Sequence, residues 1–262
     1  MLTFIVPVKS KQVSKDWSKF CSLFERTLIS ICSQTDTNYK VVVVCHEIPE
    51  ISFSHDNVHY MTVDFEPPIK TAQINEDEAN KLREIDKGKK LQLGAQFAKE
   101  RFDTDYVMTV DSDDFISNRI AGFVNKQNRT IPGWYVKNGY IFMKGKKFLL
   151  KTYKFNYLCG SSVIVKPDLL RHFFDVDSIL YFDHRLKVLN ETIKLRAFPF
   201  YGGIYSIANG ENHLMHGKNI KKFNTHKDLF SIEGVKRLLA KIRNYSLKLI
   251  TKRTKQEFSF TI

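Results

Sequence analysis

Three runs without polar alternation constrain this chain most: residues 3–8 (TFIVPV), Tyr39–Cys45 (YKVVVVC) and Tyr106–Val110 (YVMTV). Strands of that kind are buried on both faces, as in parallel sheets covered by helices on either side. Residues 17–34 place Trp17, Phe20, Cys21, Phe24, Leu28, Ile31 and Cys32 at helical spacing. Residues 88–101 form a second helix with Leu91, Ala95 and Ala98 inward. Val58–Val63 reads as a further strand, and the polar stretch from 66 to 88, with Pro67-Pro68, as a loop holding at most a short helix. The order strand, helix, strand, strand, helix, strand predicts an α/β fold with a doubly wound, mostly parallel sheet. Such sheets bind ligands beyond the carboxyl ends of their strands. Further on, Trp134–Lys137 and Tyr140–Lys144 flank Asn138-Gly139 and predict a hairpin. A turn at Gly145 then leads to a strand over Phe148–Tyr153, and Ser161–Val165 reads as one more.

Charge is distributed unevenly. The 262 residues carry a formal net charge of +13, yet twelve of the Lys and Arg residues fall within 217–262, against three acidic ones. In that tail Val235, Leu238, Leu239, Ile242, Tyr245 and Leu249 keep a helical rhythm, with Lys236, Arg237, Lys241, Arg243, Lys248 and Lys252 around them. A basic amphipathic helix suits an anionic membrane surface; it equally suits a stripe packed on the body with solvated charges. The expected division is therefore a body over 1–216 and a basic helical extension over 217–262. Nucleic acid is a poor fit, because no finger, RNP-like or helix-turn-helix signature accompanies the charge. Cys21, Cys32, Cys45 and Cys159 form no close pair, so they read as small core residues rather than a disulfide or zinc framework. No apolar run is long enough to span a membrane, and the start lacks the regions of a signal peptide. The expectation is a cytoplasmic protein whose tail can meet the inner face of a membrane.

The chemistry concentrates where Tyr106–Val110 runs into Asp111-Ser112-Asp113-Asp114. Carboxylates crowded at a strand end repel one another, and a hard divalent cation resolves this through its preference for oxygen ligands. An isolated Asp-x-Asp also suits a turn that caps a following helix. Here it closes a longer stretch, KGKKLQLGAQFAKERFDTDYVMTVDSDD, and follows FIVPV and RTLISICSQT before YKVVVVC. Over residues 3–216 this pattern resembles the GT-A nucleotide-sugar glycosyltransferases, especially glycosyltransferase family 2. Residues 24–49 have a weaker likeness to bacterial rhamnosyltransferases.

The resemblance implies a GT-A fold, a nucleotide diphosphate sugar donor, and a glycan or lipid-linked acceptor in surface glycan synthesis. It implies Mn²⁺ or Mg²⁺ held by Asp111 and Asp113, with Asp111 also meeting the ribose. Pro7 and Val8 would frame the nucleoside, Lys89 and Lys90 would meet the diphosphate, and Gly160 would lie beside the donor sugar. Glu47 stands where the family places acidic residues toward the nucleotide. Asp183, the one carboxylate of the expected acidic pair, would be the general base of an inverting reaction, or else the N-cap of a helix after it. His216, with His213 close behind, would be a further metal ligand, and imidazole would favour Mn²⁺. Trp134, Tyr153 and Tyr157 would lie near the bound sugars. The reading from another class is a catalytically inactive scaffold serving as a basic membrane- or nucleic-acid-binding module.

Overall fold

The computed structural model describes residues 1–174, 182–211 and 245–260. The elements run β1 (Leu2–Pro7), α1 (Trp17–Cys32), β2 (Tyr39–Cys45), β3 (Val58–Thr62), α2 (Glu76–Arg101), β4 (Tyr106–Thr109), β5 (Phe115–Ile116) and α3 (Ile120–Asn125). They continue with β6 (Gly133–Tyr135), β7 (Asn138–Met143), β8 (Phe148–Thr152), β9 (Val163–Val165), β10 (Arg196–Ala197), β11 (Tyr201–Ile207), β12 (Tyr245–Leu249) and α4 (Lys252–Phe258). The larger sheet has the order β10-β6-β9-β4-β1-β2-β3. It is parallel from β4 through β1 and β2 to β3, and antiparallel where β9 enters between β4 and β6. The chain is thus a mixed α/β protein with a mostly parallel central sheet flanked by helices.

Alternate residues of the apolar strands serve two cores. Phe4, Val6, Val41 and Val43 meet Phe20, Phe24, Leu28 and Ile31 of α1 on one face. Ile5, Val42 and Val44 meet Leu91, Ala95 and Ala98 of α2 on the other. Both faces are apolar because both are covered, which is why these strands read as continuous runs. Cys21 and Cys32 lie on α1, and all four cysteines are free.

A second, five-stranded sheet, β12-β8-β7-β11-β5, packs its own core around Phe115, Phe142, Leu149 and Phe258. It corrects the hairpin expected at Asn138-Gly139. β6 belongs to the larger sheet and β7 to the smaller, so the chain crosses between sheets at this point. Gly139 is there for close approach: a Cβ would stand 2.1 Å from the Phe155 ring. The hairpin is instead β7–β8, around Gly145.

Two helix expectations are also revised. α2 begins at Glu76 rather than near 88, because Asn75 and Glu78 form a reciprocal capping box. Among the described residues, no helix stands between Asp183 and β10. The Asn190 side chain accepts from the backbone N–H groups of Thr192 and Ile193, closing a tight turn that brings Val188 against Lys194. In the basic extension, residues 212–244 lie outside the described residues. Tyr245 and Leu249, expected on its helix, lie instead in β12, paired antiparallel with β8. Among the described residues no helix is long and apolar enough to cross a membrane.

Gly139→Ala should force the Phe155 ring to move and cost about 1–3 kcal/mol, as overpacking does in well-filled cores. Chemical denaturation of the variant against wild type measures this.

Candidate active site

β1 lies between β2 and β4, and the strand order reverses beside it, so the cleft opens at the switch point beyond the carboxyl ends of β1 and β4. Pro7 and Val8 line it from β1, Asp111 and Asp113 from the end of β4, and Lys87 from α2. The acidic run is also the crossing from the larger sheet to the smaller, since β4 belongs to one and β5 to the other. The Cys159–Ser162 turn makes the return crossing, from β8 to β9.

The carboxylates of the run have different environments. Asp114 is fully buried. It accepts from Ser161 Oγ at 2.6 Å, Cys159 Sγ at 2.9 Å and the Ser206 backbone N–H at 3.0 Å. Burial, then the charges of Asp113 and Asp111, push its pKa well up. Asp113 accepts from Asn209 Nδ2 at 2.7 Å. Its pKa is pushed up to about 6, mainly by burial and further by the Asp111 charge. Asp111 pairs with Lys87 Nζ at 2.5 Å. Burial disfavours the Lys87 cation, but Asp111 and Glu84 more than offset this and raise its pKa. Gly160 closes over the pair: a Cβ there would meet Asp111 Oδ2 at 2.8 Å and Lys87 Nζ at 3.0 Å.

Ligand atoms of Asp111, Asp114 and Cys159 lie within 4.8 Å of one another and could hold a metal ion. Asp114 and the Cys159 thiol are already bonded to each other and sealed from the cleft, whereas Asp111 and Asp113 line it. The donor set facing the cleft is therefore a carboxylate pair. Such a pair, one of whose pKa values is raised mainly by burial, fits a hard divalent cation.

The other expected residues are placed as follows. Lys90 is fully buried, with Nζ 2.8 Å from the Val8 carbonyl and 2.7 Å from Asp86, which in turn meets His46 Nε2 at 2.8 Å. This corrects its assignment to a diphosphate, because its ammonium anchors the end of β1 instead. Lys89 is exposed over the Phe65 ring. Of the three lysines, Lys87 faces the cleft. The expectation missed it for want of the helix start, and the Asn75–Glu78 capping box was the signal that could have found it. Glu47 accepts from Ser10 Oγ at 2.8 Å and the Lys11 N–H at 3.1 Å, fastening the loop after β1.

Asp183 is paired with Arg185, whose Nε lies 2.6 Å from Oδ1. That pairing holds its pKa below the usual carboxylate value. Trp134 is buried against Tyr106 and Phe123, while Tyr153 and Tyr157 are exposed. His213 and His216 lie outside the described residues. The chain leading to them does return to the cleft: Asn209 holds Asp113, and Glu211 pairs with Lys9. These residues had no motif to mark them.

No family model and no curated protein matches the chain. Among solved structures it is similar to the crystal structure of S. aureus TarS 1-349, at 14% identity and a TM-score of 0.39, over 78% of this chain and 60% of that one. The same fragment in complex with UDP-GlcNAc gives 12% identity and a TM-score of 0.39, over 78% and 58%. The crystal structure of S. aureus TarS gives 14% and 0.38, over 89% and 44%. The chain spans three fifths or less of the length of these structures.

The raised Asp113 pKa has a measurable consequence. An acid harder to ionise in the folded than in the unfolded state loses stability as pH rises from the ordinary carboxylate value through about 6. A cation bound to the ionised form reverses that loss. The rise in thermal midpoint on adding Mn²⁺ should therefore be larger at about pH 7.5 than at about pH 5. Differential scanning fluorimetry at the two pH values measures it.

Proposed function

We propose that the chain is a metal-dependent glycosyltransferase that moves a sugar from a nucleotide diphosphate donor to a hydroxyl acceptor, with inversion. The observation that carries this reading is the Asp111–Asp113 pair facing Lys87 across one cleft at the switch point of the sheet. A divalent cation at Asp111 and Asp113, Mn²⁺ or Mg²⁺, supplies neutralisation of the diphosphate as negative charge grows on it. His216 or His213 is a candidate further ligand. Lys87, paired with Asp111 and lining the same cleft, would be the cation for the diphosphate if a metal took up the carboxylate. Pro7 and Val8 present an apolar wall to the nucleoside, and Gly160 lets the Cys159–Ser162 turn close on Asp111 and Lys87. The segment holding Asp183 and His184 supplies the proton acceptor.

The acceptor is a glycan or lipid-linked hydroxyl, reached at an anionic membrane surface. Leu247 and Leu249 stand exposed on β12, with Lys252 and Arg253 following on α4. Apolar residues beside cations are what such a surface recognises.

Asp113→Ala should abolish the dependence of nucleotide-sugar turnover on Mn²⁺ and lower turnover by about 100-fold or more, the scale of a lost electrostatic stabiliser. Lys87→Ala should weaken nucleoside diphosphate binding by about tenfold or more. Isothermal titration and a screen of UDP-, GDP- and dTDP-sugars with and without Mn²⁺ test both. Turnover untouched by Asp113→Ala would leave the inactive-scaffold reading standing.

A further inference from the structure

Asp183 is poorly arranged to take a proton. Arg185 contacts both its carboxylate oxygens, Nε at 2.6 Å and Nη2 at 3.1 Å. The next residue is arranged for the task. His184 Nδ1 lies 2.7 Å from the Asn156 carbonyl oxygen. A carbonyl only accepts, so Nδ1 carries the proton and Nε2 keeps its lone pair. Among the described residues, no hydrogen bond occupies Nε2.

Asn156 is buried, and its side-chain nitrogen lies 3.5 Å from the Arg185 carbonyl, so one residue holds this segment through two atoms. The turn that begins at Asn156 continues to Gly160, which abuts both Asp111 and Lys87. The charged groups acting on the ring are Lys87 from α2, Asp111 from the end of β4 and Asp183 on its own segment. Tyr157, on the same turn, is exposed and held by Lys187 at 3.1 Å.

We propose that His184, rather than Asp183, is the catalytic base that accepts the acceptor's hydroxyl proton at Nε2. The assignment rests on the transferase reading. The acceptor oxygen bonds to the anomeric carbon as the bond from that carbon to the diphosphate oxygen breaks, and the electron pair departs with the diphosphate. The hydroxyl proton passes to Nε2, giving an imidazolium whose Nδ1–H stays on the Asn156 carbonyl. Burial lowers the His184 pKa below its ordinary value, so the free base is present at neutral pH and is lost as pH falls through that lowered value.

The experiment is the pH profile of donor hydrolysis by the full chain, with water as acceptor and saturating Mn²⁺, so that Asp113 stays ionised throughout. The donor is whichever of the UDP-, GDP- and dTDP-sugars wild type hydrolyses. His184→Gln should slow hydrolysis by about 100-fold or more, in line with loss of a general base. It should also remove the acid limb of the profile, leaving the thermal midpoint and the Mn²⁺-dependent affinity for the nucleoside diphosphate unchanged. An acid limb that survives His184→Gln and vanishes in Asp183→Asn would overturn the assignment. Loss of Mn²⁺-dependent affinity in His184→Gln would also overturn it, by making His184 a ligand. If wild type neither binds nor hydrolyses any of these donors, the transferase reading falls and the assignment with it.

Discussion

The fold turns on one buried carboxylate. Asp114 sits where the chain leaves the larger sheet for the smaller, and it binds the return crossing through Ser161 and Cys159 and the smaller sheet through the Ser206 backbone. Ser161 also accepts the Asp111 backbone N–H at 2.8 Å, so the same knot fixes the start of the acidic run. Thr109 reaches the Gly160 carbonyl at 2.8 Å and closes the other side. A buried carboxylate left without these donors would be costly. The two sheets therefore keep one relative arrangement here, and Asp111 and Asp113 are held at the cleft by its geometry.

That arrangement leaves negative charge concentrated at the cleft. Three carboxylates stand within four residues, and Asp114 is already committed to the fold. Lys87 balances Asp111, while Asp113 accepts from Asn209, and its burial still raises its pKa. A cation held by Asp111 and Asp113, as proposed, would free Lys87 for an anion, so that metal and diphosphate would bind cooperatively. Neither residue achieves this alone, which is why the helix that carries Lys87 matters as much as the acidic motif.

The legible parts of the sequence were those decided by local periodicity. The β-branched runs, the stripe of α1 and the acidic run after β4 are each specified within a few residues. The crossing at Asn138-Gly139 was not legible, because a turn dipeptide between apolar runs looks the same whether the strands pair with each other or with different sheets. The start of α2 was legible in principle from the Asn75–Glu78 capping box, but the Pro67-Pro68 stretch obscured it. Missing it misassigned the lysines, since helical register decides which of Lys87, Lys89 and Lys90 points to the cleft. Asn209, Glu211 and His184 could not be found locally at all: their partners lie 96, 202 and 28 residues away in the chain.

The same logic changes how the basic tail is understood. β12 extends the smaller sheet, and Phe258 and Phe260 fill its core beside Phe115, the residue that follows Asp114. Glu257 accepts from Ser117 Oγ at 2.9 Å and its carbonyl from the Asn118 N–H at 2.9 Å, tying α4 to the segment just beyond the acidic run. The end of the chain therefore braces the back of the cleft. Over its described residues, the tail that looks like a separate appendage in the sequence packs on the body beside the segment that follows Asp111 and Asp113.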